Sequence, residues 1–150
     1  MPKIIIVSAC LAGVNCRYNG TNGKIDEIWE MVLSGKALPI CPEVLGGLDI
    51  PRLPCEIVYR NGERRVINQA GDDITRFFQS GAEKILAIAK TIGAAAAILK
   101  SRSPSCGFGQ IYDGSFSGRL IDGNGFTADL LSKNNIRILS EENFGVLLTK

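Results

Sequence analysis

No histidine occurs anywhere in the 150 residues, and that gap removes whole classes of chemistry. Ser-His-Asp and Cys-His catalysis are excluded, as are zinc sites that require imidazole. Proton transfer is left to a carboxylate, a hydroxyl, a lysine, a tyrosine or a metal-bound water. Paired C-x2-C knuckles are missing too, and so are runs of the C-x2-C-x2-C kind, the usual marks of structural zinc and of bacterial ferredoxins. No segment approaches the roughly 18 consecutive apolar residues of a membrane span. The balance of 17 basic and 15 acidic side chains, a net charge of +2, lacks the basic excess of a dedicated nucleic-acid binder. Internal repeats and low-complexity segments are absent as well.

What is present suits one core. A chain of this length with 45% hydrophobic residues is expected to form a single domain over 1–150, with little room for a second core. Lys3, the run Ile4 to Val7 and Ser8-Ala9-Cys10 imitate the lipobox of a bacterial lipoprotein. The apolar stretch is about half of the roughly 7 to 15 residues in a secretory core, so a buried strand is the better reading. The expectation is therefore a soluble, cytoplasmic protein. In that reducing setting an odd count of five cysteines points to ligands or reactive thiols more than to disulfides.

Strand and helix signals alternate along the chain. Residues 3–9 form an apolar run without polar alternation, as in a parallel strand covered on both faces. Ile25, Ile28, Trp29 and Val32 recur at helical spacing and predict a helix from about Lys24 to Ser34, leading to a short strand that ends at Cys41. Pro42, Gly46-Gly47, Pro51 and Pro54 predict an irregular functional loop over 42–55. Glu56 to Arg60 and Arg64 to Ile67 read as a β-hairpin. The Asp72-Asp73 pair marks the start of a long helix, whose apolar stripe Ile74, Phe78, Ala82, Ile85 and Ala89 runs to Gly93. A third apolar strand, Ala94 to Leu99, delivers the loop that bears Cys106. Beyond it lie a glycine-rich hairpin or excursion, a short helix near Thr127 to Lys133, a strand around Ile136 to Leu139 and a final helix from about Glu141. The pattern predicts an α/β fold, a Rossmann-like three-layer sandwich with a mostly parallel sheet plus a β-hairpin.

Cys10, Cys41 and Cys106 each follow one of the three predicted strands. If those strands are parallel neighbours, their carboxyl ends share the edge where open α/β sheets place ligands. A single buried cysteine is most often an inert small hydrophobe. Three at equivalent positions, each flanked by glycine or proline, shift the balance toward a metal or cluster site with one position open. Thiolates favour iron-sulfur, zinc or copper(I), and spacing alone does not choose among these. Glu43, two residues after Cys41, is the best placed carboxylate for proton transfer. Arg52 is expected to pair with Glu56 or to orient Glu43.

The segments Ser8-Ala-Cys-Leu-Ala-Gly, Arg17-Tyr-Asn-Gly, Cys41-Pro-Glu-Val-Leu-Gly-Gly-Leu-Asp-Ile-Pro-Arg and Leu99-Lys-Ser-Arg-Ser-Pro-Ser-Cys-Gly resemble the signature of the DUF523 family over nearly the whole chain. The resemblance implies iron-sulfur-dependent desulfuration of a thiocarbonyl such as 2-thiouracil or a related thionated base or nucleoside. It also implies a 4Fe-4S cluster on Cys10, Cys41 and Cys106, with the fourth iron open to the substrate's sulfur, and leaves Cys16 and Cys55 as structural extras. Related proteins with an additional domain act on 4-thiouridine in transfer RNA. The sequence ends at Lys150 without one, so transfer RNA is the less expected substrate.

On this reading an iron-bound sulfur loses charge to the metal and its carbon becomes open to water. Glu43 is the expected base and Ser103 a donor to the developing charge, with Ser101, Ser105, Lys100 and Tyr18 as substrate-binding candidates. No net electron transfer is needed. Two readings from other classes stand beside it. One is a zinc- or iron-binding structural module that interacts with RNA, and the other a thiol sulfur carrier with one indispensable cysteine.

Overall fold

The computed structural model describes residues 3–147. The three apolar runs become β1 (Ile5–Ser8), β2 (Ala37–Ile40) and β5 (Ala96–Ile98), and with β8 (Arg137–Leu139) they form a four-stranded sheet of order β2-β1-β5-β8. Every pairing in it is parallel, with Ile6 opposite both Leu38 and Ala97. Successive side chains point to opposite faces of a strand, which explains why no polar alternation shows. Val7 and Ile98 pack against Ile28 and Met31 of helix α1 (Asp26–Leu33) and against Phe144. Ile6 and Ala97 face Ile85 and Ala89 of α3 (Thr75–Ile92) and Ala128 and Leu131 of α4 (Phe126–Lys133). Each fully buried branched side chain in these layers contributes about 1.5–3 kcal/mol of transfer free energy. The expected three-layer α/β sandwich with a parallel sheet is the observed one.

The expected hairpin is β3 (Cys55–Arg60) with β4 (Glu63–Asn68). A second one, β6 (Gln110–Tyr112) with β7 (Leu120–Asp122), accounts for the glycine-rich stretch. Helix α3 begins at Thr75, and Asp73 serves as its entry by accepting the Thr75 N–H at 3.0 Å while pairing with Arg65 at 2.9 Å. Among the described residues no helix is long and apolar enough to cross a membrane.

Two expectations need correction. The stretch 42–55 is not irregular throughout, because Pro42–Leu45 forms a one-turn helix, α2. Proline fits the first helical position, where its missing N–H has no acceptor to lose. The final helix is instead a 3-10 turn over Phe144–Leu147, and whatever that helix would cover past Leu147 lies outside the described residues. Ser140 and Asn143 explain the difference. The Ser140 N–H donates to Asn143 Oδ1 at 2.8 Å and the Glu142 N–H to Ser140 Oγ at 3.1 Å, local bonds that compete with a helix.

Helix α2 carries Glu43, and its placement depends on two glycines. A Cβ at Gly46 would strike the Phe77 carbonyl oxygen, and one at Gly81 would strike the carbonyl oxygen of Pro42. The backbones of α2 and α3 touch there. Gly81→Ala is expected to lower stability by about 1–3 kcal/mol, the usual range for overpacking, and denaturant titration reads the loss.

Candidate active site

Strand order places the site. The chain leaves β1 toward β2 on one side and returns to β5 on the other, so the carboxyl ends of β1 and β5 flank a crevice where the topology reverses. A cavity of about 420 Å³ opens there, within the range of small-molecule sites. Cys10 enters it from a buried 3-10 turn directly after β1, Cys41 from the junction of β2 and α2, and Cys106 from the loop after β5. Glu43, Tyr18, Lys100, Ser101, Ser103 and Ser105 line the same cavity. Every residue singled out from the sequence therefore meets the others at one place.

The thiols differ in environment. Cys16, buried beside them, has one S–H to offer to Cys10 or Cys41, which lowers the pKa of those two thiols and raises its own. With further help from the Val44 N–H, the Cys41 thiol is brought down to about 6 against the opposing effect of burial. Burial pushes Cys106 up to about 12, although Ser8 Oγ donates to its sulfur at 3.3 Å. Cys55 rises to about 12 by burial and by the nearby Glu43 carboxylate. All five cysteines are free. Ser8 also accepts the Lys100 N–H at 2.9 Å, which ties the end of β1 to the loop that carries Cys106.

Glu43 is clamped at both oxygens. Arg52 Nε donates to Oε1 at 3.0 Å and Ser105 Oγ donates to Oε2 at 2.8 Å. The ion pair is well shielded, with side-chain exposures of 9% and 13%. Of the two partners expected for Arg52, the structure selects Glu43, and the guanidinium also reaches the carbonyls of Asp49 and Cys16. Ser103 Oγ accepts the Cys106 N–H at 2.7 Å and stands 3.3 Å from Ser105 Oγ.

Lys100 and Ser101 are engaged elsewhere. Glu141 takes Lys100 Nζ at 2.8 Å and the Ser101 N–H and O–H at 2.8 Å each, which binds the chain after β8 to the cavity wall. Burial alone would raise the Glu141 carboxyl, but the Lys100 ammonium and the Ser101 donors hold it below its ordinary value. A depressed carboxylate contributes stability above its unfolded value and loses it as the pH falls through the folded one. The stability gap between the parent and Glu141→Gln is therefore expected to close as the pH falls below about 4, as thermal melts at stepped pH would record.

Several lining residues escaped the sequence reading. Ser8 lies inside a strand pattern, and Tyr112 and Phe116 lie in the glycine-rich stretch. The signal for Phe116 was the run Gly114-Ser-Phe-Ser-Gly118, which presents one aromatic between two flexible points. Among the described residues, no three Cys, Asp or Glu side chains converge on a single ion position. The motif thiols instead border a cavity, where three such donors could hold a multi-iron group. Soft donors, a roomy cavity and buried walls fit such a group.

Together these features define an α/β protein with a thiol-lined pocket and a clamped carboxylate at the switch point of a parallel sheet. The model of the 2-thiouracil desulfurase family matches residues 5–143, and the chain belongs to that family. It is 44% identical to the uncharacterized protein YbbK of Bacillus subtilis (strain 168), over 97% of this chain and all of that protein. Among solved structures it resembles the [4Fe-4S]-dependent thiouracil desulfidase TudS (DUF523Vcz), with a TM-score of 0.89 and 42% identity over 97% of this chain and 95% of that one.

Proposed function

We propose that the protein hydrolyses the thiocarbonyl of a small thionated base or nucleoside such as 2-thiouracil, with Cys10, Cys41 and Cys106 holding a 4Fe-4S cluster. Water supplies the oxygen of the new carbonyl and its two protons leave with the sulfur as hydrogen sulfide, so no oxidant or reductant is consumed. The meeting of the three thiols with the clamped Glu43 carries this reading. The TudS likeness supports the choice of cluster. The cavity volume favours a small molecule over transfer RNA, and five free thiols suit a reducing cytoplasm.

When bound, the cluster supplies a Lewis-acidic iron that withdraws charge from the substrate's sulfur. The chain's own groups supply the proton handling. An ionised carboxylate only accepts, and the Arg52 and Ser105 donors leave Glu43 with lone pairs to take a proton from water. Arg52 fixes the direction of those lone pairs. Ser103, its oxygen held by the Cys106 N–H, has its hydroxyl proton directed at Ser105 Oγ, whose own proton goes to Glu43, and a ring oxygen or the developing charge would draw the Ser103 proton to itself. Ser105 holds Glu43 by its hydroxyl, Tyr18 is the half-exposed part of the lining, and Lys100 with Ser101 is fixed to the cavity wall through Glu141.

Purification without oxygen, followed by the visible spectrum and by iron and acid-labile sulfide assays, tests the assignment. The expected result is a brown protein with about four irons that releases sulfide and uracil from 2-thiouracil in equal amounts. Colourless protein with one zinc and no sulfide release would overturn it in favour of a structural metal site. A metal-free protein that depends on a single cysteine would favour a sulfur carrier.

A further inference from the structure

Glu56 is a buried carboxylate that the proposed reaction does not use. It lies in β3 at the cavity, 9% exposed, and its Oε1 accepts two main-chain amides, the Gly114 N–H at 2.9 Å and the Phe116 N–H at 3.1 Å. Burying a carboxylate is costly unless it is hydrogen-bonded. Here the bonds go to the connection between β6 and β7. Gly114 lies flat on β3 with φ of 94°, where a Cβ would press on Val58 and on the Ile57 carbonyl. Two residues on, Phe116 holds φ of 56°, a left-handed conformation that an aromatic residue keeps only under constraint. That constraint seats Phe116 in the cavity lining.

Thiols, hydroxyls and charged groups form much of the remaining wall. They can bind a sulfur or an oxygen, whereas the face of a flat ring is matched by an aromatic side chain, with little dependence on which base is bound. Three aromatics line the cavity, Tyr18, Tyr112 and Phe116, and of these Phe116 is the one whose own amide is held by the buried Glu56. We propose that segment 113–118 is the base-recognition wall of this pocket, with the Phe116 ring stacked on the heterocycle and Glu56 acting as the positioning residue that holds it through two amides. The inference rests on the desulfuration reading for its substrate class and names the part of that substrate which the wall reads. The base is held by its ring face and not by its C=S group alone.

The test uses the cluster-loaded full chain, calorimetric titration with uracil, and steady-state kinetics with 2-thiouracil. Phe116→Leu is expected to weaken uracil binding and raise KM by about tenfold, with kcat within about twofold of the parent, and Phe116→Tyr to restore both. Glu56→Ala is expected to raise KM in the same way and to speed amide exchange at residues 114 and 116, whereas Glu56→Gln keeps the acceptor and the parent's KM. Iron content stays constant across the Phe116 pair, which separates recognition of the base from loading. A parent that takes up no uracil, or a Phe116→Leu variant with the parent's uracil affinity, overturns the assignment. Uracil binding that depends on Phe116 without sulfide release from 2-thiouracil would uphold the wall and overturn desulfuration. Sulfide release with unchanged KM in Phe116→Leu would do the reverse.

Discussion

Replacing Glu43 by glutamine is expected to lower kcat for 2-thiouracil by about 10²- to 10⁴-fold, the usual contribution of a positioned proton acceptor, while iron content and the visible spectrum stay those of the parent. The side chains are nearly isosteric, and the Gln carbonyl can still accept from Arg52 or Ser105. What disappears is the basicity. KM is expected to change little, because the lost interaction matters only as the water gives up its proton. Full activity in this variant would remove the proposed base. Arg52→Ala separates orientation from proton transfer. It strands a shielded carboxylate and takes one donor from each of the Cys16 and Asp49 carbonyls. Loss of one partner from such a pair costs about 3–5 kcal/mol. Denaturant titration is expected to show that loss in Arg52→Ala, with Arg52→Lys recovering part of the stability and less of kcat, since lysine cannot reproduce the fork.

Cys10→Ala, Cys41→Ala and Cys106→Ala are each expected to abolish turnover and to leave far fewer than the parent's roughly four irons. Cys55→Ala should retain both. Cys55 is partly exposed, and its S–H is directed to the Leu53 carbonyl at 3.2 Å. Cys16 is the discriminating case, because it is buried and lies beside the thiols of Cys10 and Cys41. Cys16→Ala is expected to keep the iron but to alter the visible band, since it removes the S–H that stands beside Cys10 and Cys41. Iron lost from Cys16→Ala as completely as from the motif variants would mean that the wrong set of three has been chosen.

The sequence disclosed the parts of the fold that repeat a simple rule. Ile4 to Val7 and Ala94 to Leu99 are apolar on both faces because helices cover both sides of the sheet, so these strands and their order of use were legible. The cysteines stood out for the same reason, each at the end of such a run. Contacts made by single side chains across long stretches of chain were not legible. Nothing near Lys100 announces that Glu141 will neutralise it, and nothing in Pro51-Arg-Leu-Pro54 decides between Glu43 and Glu56 as the partner of Arg52. Those choices depend on how α2 rests on α3 at Gly46 and Gly81, a tertiary fact. Phe116 was hidden because glycine-rich segments erase the periodicity on which such reading depends. The expected last helix failed to local competition, in which Ser140 and Asn143 satisfied the backbone groups that a helix would have used.

Because β1 lies between β2 and β5, the three motif thiols are brought together only once β5 has joined β1. A nascent chain emerging from its amino end carries Cys10 and Cys41 long before β5 and Cys106 exist. During that interval the pocket has no third wall and its thiols are open to oxidation. A group that bridged all three would recognise only a sheet that includes β5, and its binding energy would add to folded stability by mass action. Under the proposed function iron loading is thereby expected to report on the docking of β5, and a chain that misplaced that strand would have no site to fill.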